Sequence, residues 1–338
     1  MIKTTATRTL FLAAALLGAS SALAPAFAQD AETLTVYSGR GDTFAQPLID
    51  RFEEETGIEV EVRYGGTAEM AVLLLEEGDA SPADVFWAQD PGALGAVGDL
   101  FAPLPDDVIA SIPTQLRDND GRWAAASARA RTLVYSPERV EDAELPASIA
   151  DLAGEDYRGR VGWAPTNGSF QAHLTALRVL LGEEETKAWL EAMIANDTQV
   201  YSNNGSQLQA IADGEIDFAL VNHYYLLRNK ASDPAFPVEQ TLFEEGDAGN
   251  LLMAAGAGVL ASSDNQEAAQ QFVAYLLSEE SQSYFAQDNL EYAVTEGADN
   301  SGIEPSIEDV IAASPELDLN DIDDLEGTLD LLREVGLL

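Results

Sequence analysis

The chain is 338 residues long and carries 59 acidic against 17 basic residues, a formal net charge of −42, with two histidines and no cysteine. So acidic a surface disfavours nucleic acid and anionic membrane as partners, and without thiols there is neither a disulfide nor a thioether lipid anchor. Zinc, which draws on His and Cys, is disfavoured on the same ground.

In chain order, Lys3 and Arg8 precede the apolar run LFLAAALLGA and the small-residue ending Ala26-Phe27-Ala28. This reads as a signal peptide, residues 1–28, cut after Ala28. The run is too short to span a bilayer comfortably, so the expectation is an exported protein free in a periplasm. The 310 residues beyond Ala28 suit two lobes, at about 100 to 200 residues per domain. Acidic clusters such as EEET (53–56), GEEET (182–186) and NDIDDLEG (320–327) read as solvated faces.

LTVYSG (34–39) is predicted as a strand, and DTFAQPLIDRFEEETG (42–57) as a helix with Phe44, Leu48, Ile49 and Phe52 on one face and Gly57 as its stop. The alternating IEVEV (58–62) is a strand, TAEMAVLLLEEG (67–78) a helix and ADVFWAQ (83–89) a strand. This rhythm means a doubly wound α/β lobe. It returns in RVGWAP (160–165), the helices 170–182 and 185–196, and EIDFALVN (215–222). Between the halves, ARARTLVYSPERV (128–140) is β-prone and suits a crossover, and LLMAAGAGVLASS (251–263) a return. The fold class is therefore α/β, two doubly wound lobes on a hinge of two crossover segments. The N-terminal lobe is drawn as 29–130 with about 255–300, and the C-terminal lobe as 131–254 with about 301–338.

Such folds bind ligands at the carboxyl ends of their strands, and the unusual clusters fall there: YSGRGD, RYGGT, FWAQD, PTNGSF and VNHYY. In mid-strand, Tyr224 and Tyr225 would point to opposite faces, but at a strand-to-helix turn both reach one cleft. Phenolate is a hard oxygen ligand that forms near neutrality only when a strong cation such as ferric ion displaces the proton. Without such a cation the pair reads as aromatic packing. In PTNGSF, Pro165, Asn167 and Gly168 make a tight turn, with Ser169 at the start of the helix, so that free N–H groups and small hydroxyls form an anion seat or an ordinary cap. His173 reads as a partly buried helix residue, and His223 as a residue that shapes the turn. No Ser-His-Asp order, HExxH or P-loop occurs, so catalysis is unsupported and the chain is expected not to be an enzyme.

The runs LTVYSGRGDTF, SPADVFWAQDPGAL, VGWAPTNGSFQ, YSNNGSQLQAIADGEIDFALVNHYY and the helix FVAYLLSEESQSYFAQDNLEYAV resemble, in order, the periplasmic ferric-ion-binding proteins, type 2 substrate-binding proteins of ABC importers. The resemblance implies Fe(3+) as cargo, held by Tyr224 and Tyr225 with a synergistic anion such as phosphate or carbonate. The anion would rest on Thr166, Asn167, Gly168 and Ser169, with Asn204, Asn222, Arg129 and Arg131 around it. It further implies hinge closure and delivery by a monomer to an inner-membrane permease with its ATPase. Two positions depart from the family pattern: Gly41 stands for its His and Gln89 for its Glu. Asp42, Asp90, Tyr64 and Gln89 itself are then the further candidate ligands. The departure opens an alternative cargo, a phosphorylated or sulfonated organic solute stacked between Tyr64, Tyr224, Trp87 and Trp163. A third reading, a secreted hydrolase, has no nucleophile motif behind it.

Overall fold

The computed structural model describes Met1 and residues 33–338; the expected signal segment, Met1 apart, lies outside the described residues. The chain opens with β1 (Thr33–Ser38), α1 (Asp42–Thr56), β2 (Glu59–Tyr64), α2 (Thr67–Glu77), β3 (Val85–Ala88) and α3 (Pro91–Ala96). β1 pairs in parallel with both β2 and β3, as the alternation of strand and helix requires. α1 buries Ala45, Leu48, Ile49 and Phe52 along one stripe. It stops at Gly57, whose φ of 73° is the left-handed conformation that glycine adopts at little steric cost.

β4 (Phe101–Ala102) and α4 (Asp106–Ile109) lead into β5 (Trp123–Tyr135). The crossover strand therefore begins before the expected Ala128 and stops at Tyr135, just short of Ser136-Pro137, because proline has no N–H to continue a ladder. The second half runs through β6 (Val161–Trp163), α5 (Gly168–Leu181), α6 (Glu183–Ala195), β7 (Gln199–Val200), α7 (Asn204–Asp213), β8 (Phe218–Asn222), α8 (His223–Ser232) and β9 (Glu239–Thr241). β6 pairs in parallel with β7 and β8. The return strand β10 (Leu251–Leu260) precedes α9 (Gln266–Leu276), α10 (Glu279–Ser283), α11 (Ile307–Ala313) and α12 (Leu325–Glu334). The single helix expected over FVAYLLSEESQSYFAQDNLEYAV is broken: α9 and α10 are followed by a π-helical turn, Tyr284–Asp288, and Leu290 at φ 57° ends the helical run.

The ten strands of the described residues share one sheet, ordered β2-β1-β3-β10-β5-β8-β6-β7, with β4 beside β10 and β9 beside β5. Each end is parallel and the middle is antiparallel, because β5 and β10 run against each other between the two halves. Their pairing shifts register at Ala255/Gly256. There a Cβ on Gly256 would lie 2.5 Å from the Ala124 carbonyl oxygen, so close an approach that only glycine fits.

One core gathers around Trp87, Phe52 and Phe272, whose last two rings meet edge to face at 5.1 Å. A second surrounds Trp163, Phe170, Trp189 and Phe218, and a smaller third Leu208, Ile211 and Val221. The tail drawn wholly with the C-terminal lobe divides between cores. Ile303, Ile307, Val310, Leu319 and Ile322 pack in the first, and Leu331 and Leu332 in the second. Among the described residues no helix is long and apolar enough to cross a membrane.

Gly256→Ala is expected to cost about 1–3 kcal/mol through overpacking at the shifted register. Urea denaturation checks this, with a lowered midpoint at unchanged slope as the expected result.

Candidate functional site

β8 ends at Asn222, its last residue in register with β5, opposite Arg131. α8 starts at the next residue, His223, with no connecting loop. This abrupt strand-to-helix junction puts the two phenols side by side. The Tyr224 and Tyr225 rings stack with centroids 4.6 Å apart and planes 26° from parallel. Tyr224 is buried and Tyr225 half-buried. Burial first, then Tyr225 and Glu291, push the Tyr224 phenol above its ordinary 10.0, so only a strong cation takes the place of its proton. Arg228, one turn along α8, stands 4.6 Å over the Tyr224 ring.

Asn222 ties this pair to the turn before α5. Its Nδ2 donates to Ser169 Oγ at 3.1 Å and to Tyr224 Oη at 3.4 Å, while its Oδ1 accepts from Arg131 Nη1 at 3.0 Å. The turn itself differs from expectation. Asn167 caps α5, its Oδ1 accepting from the N–H of Ser169 at 3.1 Å and of Phe170 at 3.3 Å. The cap starts the helix at Gly168 instead of Phe170 and uses two N–H groups expected to face outward. The Gly168 N–H, in the first turn, has no helical partner, and with the Thr166 and Ser169 hydroxyls it forms the remaining donor set.

Arg129 and Arg131 alternate along β5 and so share a face; both are fully buried. Arg131 Nη1 also donates to Asn204 Oδ1 at 3.1 Å, and Nη2 to the Leu220 carbonyl at 2.6 Å. Burial lowers this guanidinium to about 9. Arg129 Nη2 donates to the Gln89 carbonyl, and burial lowers Arg129 as well. Arg129 Nε and Nη1 and Arg131 Nε have no partner among the described residues. Buried cationic donors with no acceptor fit an oxyanion.

A cleft of about 370 Å³ faces the turn, lined among others by Gly39, Thr67, Gln89, Asp90, Thr166 and Gly168. The loops after β1, β2 and β3 thus meet the turn after β6, at the carboxyl edges of both parallel ends. Of the further candidate ligands, Gln89 and Asp90 line this cleft. Asp90 caps α3, accepting from the Ala93 N–H at 3.1 Å, and burial raises its carboxyl. The other two are engaged elsewhere. Asp42 is exposed in the first turn of α1, whose N-cap is Gly41, and accepts from the Thr43 N–H at 2.7 Å. Tyr64 Oη donates to Gln46 Oε1 at 2.7 Å, and burial with Asp42 and Asp50 pushes its phenol up to about 12. Trp87 and Trp163 are no stacking walls: both are core, Trp87 against Phe272 and Phe285, Trp163 against Phe170 and Trp189. His173 is buried and hydrogen-bonds the Ala248 carbonyl at 2.9 Å. Among the described residues no three His, Asp or Glu side chains gather to hold a metal.

One element of the site left no local trace in the sequence. Arg40 Nη2 donates to both carboxylate oxygens of Glu291, at 2.9 and 3.0 Å, and Ser127 Oγ adds a third bond at 2.5 Å. The partners lie 251 residues apart, beyond the reach of any local pattern. Burial alone would raise the Glu291 carboxyl, but Arg40, Arg129 and Ser127 outweigh it and hold it below its ordinary 4.5.

A mixed sheet split into two parallel halves over a cleft, with donors on both sides, defines the architecture of a two-lobed solute-binding protein. The chain belongs to the bacterial extracellular solute-binding proteins, whose family pattern matches residues 47–317. It is 35% identical over 310 residues to the Fe(3+)-binding periplasmic protein of Serratia marcescens, with 90% of each chain covered. It is 31% identical over 344 residues to the major ferric iron-binding protein of Neisseria meningitidis serogroup A, covering 98% of this chain and 99% of the relative. Among solved structures, iron-bound HitA from Pseudomonas aeruginosa matches with a TM-score of 0.84 at 33% identity, over 90% of this chain and 100% of that one.

Removing the Glu291 charge leaves Arg40 buried without its counter-ion, so Glu291→Gln is expected to cost about 3–5 kcal/mol. The carboxylate is depressed, so its stabilisation is present above the unfolded value and is lost as pH falls through the folded one. Denaturant titrations at neutral and acid pH check both points: the variant is weaker at neutral pH and loses less on acidification.

Proposed function

We propose that this chain is the solute-binding component of a bacterial iron importer, capturing ferric ion in the periplasm through the phenolate oxygens of Tyr224 and Tyr225. The stacked tyrosine pair at the β8–α8 junction carries the reading, because it offers two hard anionic oxygens from adjacent residues. The relatives named for ferric ion support it. A synergistic anion, phosphate or carbonate by chemistry, completes the shell on Thr166, Asn167, Gly168 and Ser169. Arg129, Arg131, Asn204 and Asn222 supply the cationic and amide surroundings. Asn222 is the shared bond, since one amide nitrogen reaches both Ser169 Oγ and Tyr224 Oη.

In this reading the activity is capture and release. The lobes, one with β1–β3 and one with β6–β8, close about β5 and β10, and only the liganded cleft is bridged from both sides. The closed form is then presented to a permease with its ATPase. Gln89 and Asp90 face the cargo from the first lobe, and neutral Gln89 leaves more of the shell to the anion and to water than a carboxylate would.

Mixing apoprotein with a ferric chelate is expected to give a phenolate-to-iron charge-transfer band in the visible range. The double variant Tyr224→Phe, Tyr225→Phe loses it while keeping its fold. Colourless wild-type protein under the same conditions contradicts the proposal.

Capture also displaces two phenolic protons, so affinity is expected to fall by about 100-fold per pH unit on acidification, tenfold for each proton released. Competition against a chelator of known proton linkage, from about pH 8 down to about pH 6, measures the slope. A slope near zero excludes phenolate ligation.

A further inference from the structure

We infer that His223 is a positioning residue for iron capture, fixing the angle at which the tyrosine-bearing helix leaves the sheet; the inference rests on the proposed function. Residues of β8 and β5 pair antiparallel up to Asn222 opposite Arg131. One step further, the register would set residue 223 opposite Ala130, but there the chain has already turned into α8 and offers no strand backbone. The side chain fills the gap. His223 Nδ1 accepts from the Ala130 N–H at 3.2 Å, so the imidazole stands where the next carbonyl of the ladder would.

The ring is held on its face as well. It lies parallel to Tyr292, with centroids 4.3 Å apart and planes 6° from parallel, and both residues are fully buried. Tyr292 is in turn bolted to β5 by two backbone bonds to Ala128, at 2.9 and 2.8 Å. His223 is thus fastened to the hinge strand twice, directly through Ala130 and indirectly through Tyr292. Meanwhile α8 has no side-chain cap: Asn222, its N-cap residue, makes no cap hydrogen bond and spends its amide on Arg131, Ser169 and Tyr224. With no cap, the first turn of α8 takes its seat from the neighbours at 222 and 223. Asn222 reaches to the anion turn and His223 to the hinge. The same anchoring links ligand geometry to the strand about which the lobes close, so a misplaced ring would weaken binding and alter the metal's surroundings together.

Three variants test this, read by the charge-transfer band and by ferric affinity. His223→Leu keeps apolar bulk but removes the acceptor and the stacking partner. It is expected to shift or broaden the band and to weaken capture by roughly tenfold to 100-fold. His223→Asn, whose Oδ1 stands at the same bond distance from the backbone as Nδ1, is expected to restore most of both. Should His223→Leu fail to fold, His223→Gln decides instead: its acceptor sits one bond further out, and the same spectral change is expected. Wild-type band and affinity in the folded Leu or Gln variant overturn the inference, as does an Asn variant no better than Leu. If wild-type protein itself gives no band, the iron reading fails first, and the two failures are told apart by that control.

Discussion

Arg129 and Arg131 bury two guanidinium groups side by side on one face of β5, in a chain whose formal net charge is −42. Taking a charge out of water costs several kcal/mol unless it is paired and hydrogen-bonded. The acidic surface gives little help, because solvent screens it within about 10 Å. The compensation is local: Asn204, Asn222 and the Leu220 carbonyl for Arg131, the Gln89 carbonyl for Arg129, and the ionised Glu291 shared between Arg40 and Arg129. It is also incomplete, since three nitrogens of the pair lack acceptors among the described residues. Under the proposed function, an oxyanion arriving with the metal would supply what is missing.

The same strand decides where the phenols go. β5 is the only element among the described residues that pairs with both β10 on one side and β8 on the other, so it belongs to both halves of the sheet. β8 can follow it no further than Asn222, and the turn into α8 delivers Tyr224 and Tyr225 at that limit. Under the proposed function, the phenols, the Ser169 hydroxyl that Asn222 reaches and the β5 backbone lie along one seam. Binding and closure would then draw on the same contacts, so that a small cargo shifts the balance between open and closed forms.

Much of this was legible in the sequence wherever the signal is local. Leu48, Ile49 and Phe52 mark α1 by their spacing, Gly57 marks its end, and both appear as read. The strand pattern ending at Asn222 places the YY pair at a strand-to-helix turn, and β8 does give way to α8 at His223. The misreadings arise where tertiary context overrides a local rule. Ser169 looks like a cap, but Asn167 takes that role and Ser169 turns to Asn222. Trp87 and Trp163 look like ligand walls because they sit near strand ends, yet both rings are fully buried against other aromatic rings. The run from Phe272 to Val294 reads as one helix within the family resemblance, but the chain turns at Leu290, and Glu291 meets Arg40 and Tyr292 meets His223. Pairings across such separations leave no periodic trace in one sequence.

Under the proposed function, adjacent phenolate oxygens next to a buried cationic seat grip a ferric ion. The most direct measurement is a crystal structure of the protein grown with ferric ion and phosphate, with anomalous scattering collected at the iron edge. Phenolate capture predicts a single strong peak bonded to both Tyr224 Oη and Tyr225 Oη, with anion density touching Ser169. A peak lying elsewhere, or bonded to neither oxygen, contradicts it.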